Sequence, residues 1–259
     1  MQIENNPHDG ITCVMVDMRI LVILVISIAG ILIFVAAYNA IAVSIPIDPK
    51  LNSSNSLPVL LVHGLALDSS VWKEWEYLLG RDGIKFYSIT FQKSDDKCGD
   101  AVGHASEIGE IVQLVKRETG SERVNIVGHS KGGIDARVYL ANGTTDVANL
   151  VMIGTPNQGT PLAEFTSACS PAISDVLPGA NATKAKMNPN TNYWTIAGDW
   201  QHEIEGNPVL QGIDDGQVQV SSVESEEYFQ SLGRTENHHL ELLGEPEYKL
   251  ARNVIVGRP

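Results

Sequence analysis

The chain has 259 residues, of which 43% are hydrophobic and 19% are charged, and its formal net charge is -13. Such a composition can bury a substantial core, and it excludes a chain that is disordered throughout. The acidic residues are spread along the sequence and leave no basic patch that could neutralise phosphates. The charge therefore argues against a nucleic-acid partner and against electrostatic docking on anionic lipid.

An apolar segment lies near the start of the chain. No charged residue occurs from Ile20 to Ile47, and residues 20–37 are long enough to cross the hydrocarbon core of a bilayer. Ala40-Ile41-Ala42 resembles a signal-peptide cleavage site, but the apolar run is longer than the usual signal core of about 7–15 residues. We therefore favour a transmembrane anchor over a cleaved signal segment.

This segment sets the predicted domain organisation. Residues 1–19 are a tail, residues 20–45 the anchor or signal, residues 46–56 a linker, and residues 57–259 a folded domain. Three Asn-x-Ser/Thr sequons, at Asn52, Asn142 and Asn181, are compatible with export of that domain. We expect the domain to be extracytoplasmic, and secreted if the segment is cleaved.

Short apolar runs alternate with amphipathic segments in the remaining sequence. This order is typical of an α/β fold, with a mostly parallel sheet and helices on both faces. Ser69 or Ser70 is predicted to cap the first helix, and Gly120 to end the second. The predicted strands are residues 57–62, 84–91, 124–127, 147–153, 193–197 and 217–220, and the predicted helices are residues 71–79, 104–119, 131–141 and 246–255.

The segment from Val124 to Gly133 has the pattern of a nucleophile elbow. An apolar strand runs into Gly-His-Ser-Lys-Gly at residues 128–132, and a helix-like segment follows directly. At such a strand-to-helix turn the serine hydroxyl projects above the sheet, and Cβ atoms at residues 128 and 132 would collide with neighbouring backbone. The pattern predicts Ser130 as a nucleophile.

Further blocks accompany the elbow. They are Leu-Val-His-Gly-Leu at residues 61–65, Gly-Thr-Pro-Asn-Gln-Gly-Thr at residues 154–160, Asp-Gly-Gln-Val at residues 215–218, and His-Leu at residues 239–240. As a set they resemble the compact serine lipases and esterases of the α/β-hydrolase fold, the bacterial triacylglycerol lipase type. The resemblance covers about residues 57–256 and implies hydrolysis of lipid-like carboxylic esters through an acyl-enzyme.

The resemblance also implies the partners of the nucleophile. Asp215 matches the aspartate that orients the base, and His239 matches the base itself, in the family's order of serine, acid and histidine. Two alternatives stay open, because Asp214 is adjacent to Asp215 and the doubled histidine leaves His238 as a second candidate.

Two backbone N–H groups are expected to form the oxyanion hole. One belongs to Lys131, directly after the nucleophile, and the other, by resemblance, to Leu65. Three further histidines are predicted to be structural. His63 braces the loop that carries Leu65, His129 lies inside the elbow, and His202 is expected to be a surface or cap residue.

A small cap is predicted over residues 160–192, between two strands. Ala163, Phe165, Ile173, Val176 and Leu177 would give it an apolar face, which either binds an acyl group or packs over the sheet edge. The three cysteines form no CxxC pair and no zinc-type cluster with histidine. Cys98 and Cys169 either pair, if the domain is exported, or remain buried thiols.

No metal or cofactor is predicted. Some lipases of this type bind a structural calcium ion near the histidine loop through two aspartates; here Glu241 occupies one of those positions and Asp199 is only near the other. The expected partners are an ester or lipid substrate and a membrane, and the sequence does not indicate the oligomeric state.

Rival functions share the same residues. A thioesterase, a phospholipase or an acyltransferase would use the same triad, because each reaction passes through a tetrahedral intermediate. A non-catalytic, membrane-tethered binding protein is the remaining alternative. Such a protein usually lacks a triad residue, and this chain has all three.

Overall fold

The computed structural model describes residues 56–200 and 209–257. The predicted N-terminal tail, the anchor or signal segment, residues 46–55 of the linker and His202 all lie outside these ranges. In the part of the chain that is described, no helix is both long enough and apolar enough to cross a bilayer.

The centre of the fold is one sheet of parallel strands in the order β2-β1-β3-β4-β5-β6. The predicted parallel sheet is confirmed. Strand β1 is buried along its whole length, as expected for a parallel strand that is covered on both faces. The strands are β1 (Val59–Val62), β2 (Phe86–Ser88), β3 (Val124–His129), β4 (Val147–Ile153), β5 (Asn192–Gly198) and β6 (Gln230–Thr235).

Helices cover both faces of the sheet, as predicted. They are α1 (Lys73–Arg81), α2 (Ala101–Thr119), α3 (Lys131–Leu140), α4 (Ser170–Asp175), α5 (Val220–Val223) and α6 (Glu245–Ile255). Alternate residues of β1 point to opposite faces of the sheet and so pack with different helices. Leu60 packs with α2 and α3, whereas Leu61 packs with α1 and α6.

The helix ends differ from prediction in two places. The first helical segment begins with a 3₁₀ turn at Ser69–Trp72 and is capped by Asp68, whose carboxylate accepts the Ser70 N–H at 3.0 Å. The predicted serine caps are therefore wrong. Helix α2 begins at Ala101 rather than His104, because the Asp100 side chain caps it. The predicted end at Gly120 is confirmed, since its φ is +70°.

The predicted last strand, residues 217–220, is wrong. Gln217 and Val218 belong to the turn that surrounds Asp215, and α5 begins at Val220. The sixth strand is Gln230–Thr235, whose polar, glycine-containing sequence gives no apolar alternation. The predicted strand over residues 84–91 is also shorter, and only Phe86–Ser88 pairs with β1.

Candidate active site

Ser130 lies at the turn between β3 and α3, with φ 53° and ψ -127°. This positive φ is unusual for a non-glycine residue and is typical of a strained functional turn. A Cβ at residue 128 would lie 2.7 Å from the Gly133 nitrogen, and one at residue 132 would lie 2.4 Å from the His63 carbonyl oxygen. The reason predicted for the two glycines is confirmed, because only glycine fits both positions.

The structure brings Ser130, His239 and Asp215 together. The Ser130 Oγ lies 2.9 Å from His239 Nε2, and the Asp215 Oδ2 lies 2.7 Å from His239 Nδ1. Asp215 is fully buried and His239 is 2% exposed. A serine, an imidazole and a carboxylate in this order can pass the serine proton to the imidazole and hold the resulting cation.

The turn after β5 fixes both the acid and the base. The second oxygen of Asp215, Oδ1, accepts the backbone N–H groups of Gln217 and Val218 at 2.9 and 2.7 Å. The Asp215 carbonyl accepts the His239 N–H at 2.8 Å. Asp215 therefore keeps one carboxylate oxygen for the imidazole while its backbone holds the loop that carries His239.

The two alternative residues have other contacts. Asp214 Oδ1 accepts the Gly216 N–H at 2.7 Å, and burial raises the pKa of this carboxyl group. The His238 ring packs edge-on against Trp200, with ring centroids 4.8 Å apart. Through these contacts both residues stabilise the turn that surrounds Asp215, and neither side chain pairs with Ser130.

His129 and His63 support neighbouring backbone. His129 is fully buried and its Nε2 donates to the His239 carbonyl at 2.9 Å. Burial, with a smaller effect of the nearby His239, lowers the pKa of His129 to about 3, so this imidazole stays neutral. The His63 Nε2 lies 2.9 Å from the Asp96 carboxylate, which ties the loop after β1 to the loop before α2.

Leu65 and Lys131, the predicted oxyanion donors, line the same cavity as Ser130 and His239. The sequence did not predict that the Lys131 side chain is buried in an ion pair. This residue is 1% exposed, and its Nζ lies 2.6 Å from Asp135, one turn along α3. The spacing of four residues between Lys131 and Asp135 is the sequence signal that could have indicated this ion pair.

The cavity beside the nucleophile has a volume of about 360 Å³ and mostly apolar walls. Cap residues Ala163, Ile173 and Val176 form a buried cluster there, against which Leu65 and Leu177 pack. Phe165 is 73% exposed, so its predicted place in the apolar lining is wrong. A larger cavity of about 550 Å³ lies beside Arg137, but its walls include no triad residue.

A disulfide joins Cys98 and Cys169, whose Cα atoms are 4.6 Å apart. The choice that the sequence left open is therefore resolved in favour of pairing. Cys169 directly precedes α4 of the cap, and Cys98 lies in the loop before α2. The bridge thus ties the cap to the loop that also contacts His63.

Replacing both bridged cysteines with serine is expected to lower the free energy of unfolding by about 2–5 kcal/mol, because the bridge closes a long loop in the unfolded chain. The half-cystines are 71 residues apart. Urea unfolding of wild type and Cys98→Ser/Cys169→Ser measures the difference. Reductant should shift the wild-type midpoint toward that of the variant and leave the variant unchanged; equal midpoints without reductant would contradict the prediction.

Glu241 and Asp199, the residues considered for calcium, belong to no metal-binding group of three or more ligands in the part of the chain that is described. Glu241 Oε2 pairs with the His238 backbone N–H at 3.4 Å as part of a helix cap. One Asp199 oxygen is buried without a hydrogen-bond partner. Residues 56–200 and 209–257 contain no group of three or more His, Cys, Asp or Glu arranged to hold a metal ion.

Comparison with protein families gives one extended match. The model of the palmitoyl protein thioesterase family matches residues 58–240, which include Ser130, Asp215, His239 and the predicted oxyanion donors Leu65 and Lys131. Among curated proteins, triacylglycerol lipases of Pseudarthrobacter phenanthrenivorans and Burkholderia plantarii are each 34% identical over 128 residues, or 46% of this chain. The matches span only 37% and 33% of those lipases, so the chain covers about a third of their length.

Solved structures show the same fold. The mature Bacillus licheniformis lipase BlEst2 superimposes with a TM-score of 0.64 at 20% identity, over 78% of this chain and 93% of that one. A metagenomic carboxyl esterase, MGS0156, gives a TM-score of 0.52 at 17% identity, over 72% and 65% of the two chains. Together with the family match and the curated lipases, this shared fold confirms the predicted resemblance to α/β-hydrolase lipases and esterases.

Proposed function

Because the chain belongs to the palmitoyl protein thioesterase family of α/β hydrolases, we propose that it hydrolyses carboxylic esters through an acyl-enzyme formed on Ser130. The observation that carries the proposal is the continuous hydrogen-bonded series from Ser130 through His239 to Asp215, which opens onto an apolar cavity. The curated relatives, which are named triacylglycerol lipases, support an ester substrate.

In the first half of the reaction, His239 removes the Ser130 proton as the serine oxygen attacks the ester carbonyl carbon. The carbonyl oxygen becomes an oxyanion, which accepts hydrogen bonds from the Leu65 and Lys131 N–H groups. The imidazolium then protonates the departing alcohol when the carbon–oxygen bond breaks. Ser130 is left as an acyl ester, and His239 is neutral again.

In the second half, water enters the place of the alcohol and gives a proton to His239. The resulting hydroxide attacks the acyl carbon, and a second oxyanion forms in the same hole. His239 returns its proton to the Ser130 oxygen as the carboxylic acid leaves. Asp215 remains ionised throughout, holding the imidazole tautomer and stabilising its charge.

Hydrolysis of acyl thioesters is the second candidate, and the family model that matches residues 58–240 is the observation that favours it. The proposed steps change only in the leaving group, which is then a thiol. The short cap and the 360 Å³ cavity favour acyl groups of moderate size in both reactions.

The test is a matched series of p-nitrophenyl esters and acyl thioesters that share the same acyl chains. We expect turnover of the esters, with the highest kcat/KM for apolar acyl chains of moderate length. Turnover of thioesters alone would replace the first candidate with the second. A folded protein that cleaves neither series, or that prefers bulky polar acids, would contradict the proposal.

We also propose that residues 20–45 tether the catalytic domain outside the cytoplasm. The support is the uncharged apolar run of the sequence together with the Cys98–Cys169 bridge, since disulfides persist mainly in oxidising compartments. A mass spectrum of the mature N-terminus tests the proposal. Loss of residues 1–42 would show cleavage and secretion instead of anchoring.

A further inference from the structure

His104 is a buried histidine of α2 that lies outside the triad, and it is 3% exposed. Its Nδ1 lies 2.8 Å from Asp135 Oδ2, and its Nε2 lies 2.8 Å from the Asp95 carbonyl oxygen. A carbonyl oxygen can only accept, and a carboxylate that is paired with a lysine also accepts. The ring can donate to both oxygens only when both of its nitrogens carry a proton.

The surroundings of His104 suit a cation. The Phe91 ring stacks on the imidazole with centroids 3.7 Å apart and planes within 5°, a geometry that permits a cation–π interaction. Asp135 pairs with both His104 and Lys131, while Asp175 lies 3.6 Å from the same lysine nitrogen. With His104 protonated, the imidazolium and the Lys131 ammonium lie against the carboxyl groups of Asp135, which is buried, and Asp175, whose pKa is raised by partial burial; these four side chains form the His104 cluster.

One arm of the cluster reaches the first oxyanion donor. Asp135 receives the His104 ring on Oδ2 and the Lys131 Nζ on Oδ1, at 2.8 and 2.6 Å. Lys131 follows the nucleophile, and its backbone N–H is one of the two proposed donors. His104 therefore fixes the side chain of the residue whose backbone faces the oxyanion.

The other arm reaches the second donor through a short turn. Asp95 shapes this turn, because its side chain accepts the Lys97 and Cys98 N–H groups at 3.0 and 3.1 Å. The Lys97 carbonyl then accepts the Ala66 N–H at 2.9 Å. Ala66 has a φ of +60°, and this hydrogen bond holds the unusual backbone directly after Leu65, the other proposed donor.

We propose that His104, as an imidazolium, is a positioning residue that fixes the spacing of the two oxyanion donors, Leu65 and Lys131. The inference rests on the proposed function, because the two N–H groups form an oxyanion hole only in an acyl-transfer enzyme. His104 touches neither Ser130 nor the substrate cavity. Its effect passes to one donor through Asp135 and to the other through Asp95 and Lys97.

The kinetic test is His104→Gln. The single amide nitrogen of glutamine can take the place of one ring nitrogen, so it can donate to Asp135 or to the Asp95 carbonyl but not to both. We expect kcat to fall about 10–100-fold with KM changed less than about threefold, a part of the 100–1,000-fold typical of losing one donor outright. Val112→Ala is the matched control, because Val112 is fully buried on the same helix but packs in the hydrophobic core and is not one of the four side chains of the His104 cluster. It should lower Tm and leave kcat unchanged below the unfolding transition.

Asp135→Asn is the second variant, needed if His104→Gln does not accumulate as folded protein. It preserves the size of the side chain and removes the charge that holds the second ring proton. The same selective fall in kcat is expected. A folded His104→Gln or Asp135→Asn protein with wild-type kcat would overturn the inference, as would a loss of kcat in Val112→Ala that equals the loss in His104→Gln.

A spectroscopic readout separates this inference from the proposed function. In ¹⁵N spectra of histidine-labelled wild type, at the pH of maximal stability, His104 should show protons on both ring nitrogens, and His104→Gln should lack that signal. A singly protonated ring would overturn the inference whether or not the protein hydrolyses esters. Absence of ester and thioester turnover in wild type would refute the proposed function alone.

Discussion

Ser130→Ala is expected to lower kcat for ester hydrolysis by about 10,000-fold or more, because no other group can form the acyl-enzyme. The Ser130 Oγ is the atom that pairs with His239 Nε2 at 2.9 Å, and Ser130 lines the cavity that Leu65 and Lys131 also line. Steady-state hydrolysis of a p-nitrophenyl ester measures the loss, and thermal unfolding verifies that the variant folds.

Ser231→Ala is the matched control. Ser231 is an exposed serine on β6, where its hydroxyl pairs with Glu224, and its replacement should leave kcat and KM unchanged. A Ser130→Ala protein that retains activity within about tenfold of wild type would show that another residue is the nucleophile.

Asp215→Asn is expected to lower kcat by about 10,000-fold with little change in fold. The Oδ1 of Asp215 accepts two backbone N–H groups, so the amide oxygen of an asparagine would remain in that position. Its NH₂ group would then face His239 Nδ1, where Asp215 Oδ2 now accepts. The imidazole would have to carry its proton on Nε2, the nitrogen that must accept the Ser130 proton.

Asp214→Asn is the control for this substitution. Its carboxylate accepts only the Gly216 N–H among the hydrogen bonds described, and an asparagine oxygen can do the same. We expect its kcat to stay within about threefold of wild type, as for a substitution that removes no transition-state interaction. The reverse pattern, an inactive Asp214→Asn and an active Asp215→Asn, would make Asp214 the acid.

The parts of the site that sequence could predict are those encoded within short segments. The requirement for glycine at residue 128 is local, because residues 132 and 133 fold back onto it, whereas a Cβ at residue 132 would meet the backbone of Val62 and His63 at the end of β1. The roles of Asp215 and His239 are predicted by the family resemblance and not by the local sequence around each residue. The geometry chooses between Asp215 and Asp214 through the direction of each carboxylate in the turn, which spacing alone does not specify.

The features that the sequence did not predict depend on contacts between distant segments. His104 on α2 meets Phe91 and Asp95 from the loop before that helix and Asp135 from α3, and no motif links them. Strand β6 pairs beside β5 although its own sequence is polar, so its neighbours and not its propensity decide its conformation. Phe165 shows the opposite error, because an apolar residue in a cap need not face the cavity.

A fluorophosphonate probe, which reacts covalently with an activated serine, tests the identity of the nucleophile. Labelled wild type would be digested and the modified peptide identified by mass spectrometry, with Ser130→Ala labelled in parallel. The expected result is a single adduct on Ser130 in wild type and no adduct in the variant. Folded wild type that takes up no label, or equal labelling of both proteins, would contradict an acyl-enzyme on Ser130 and would favour a non-catalytic, membrane-tethered binding protein or a different nucleophile.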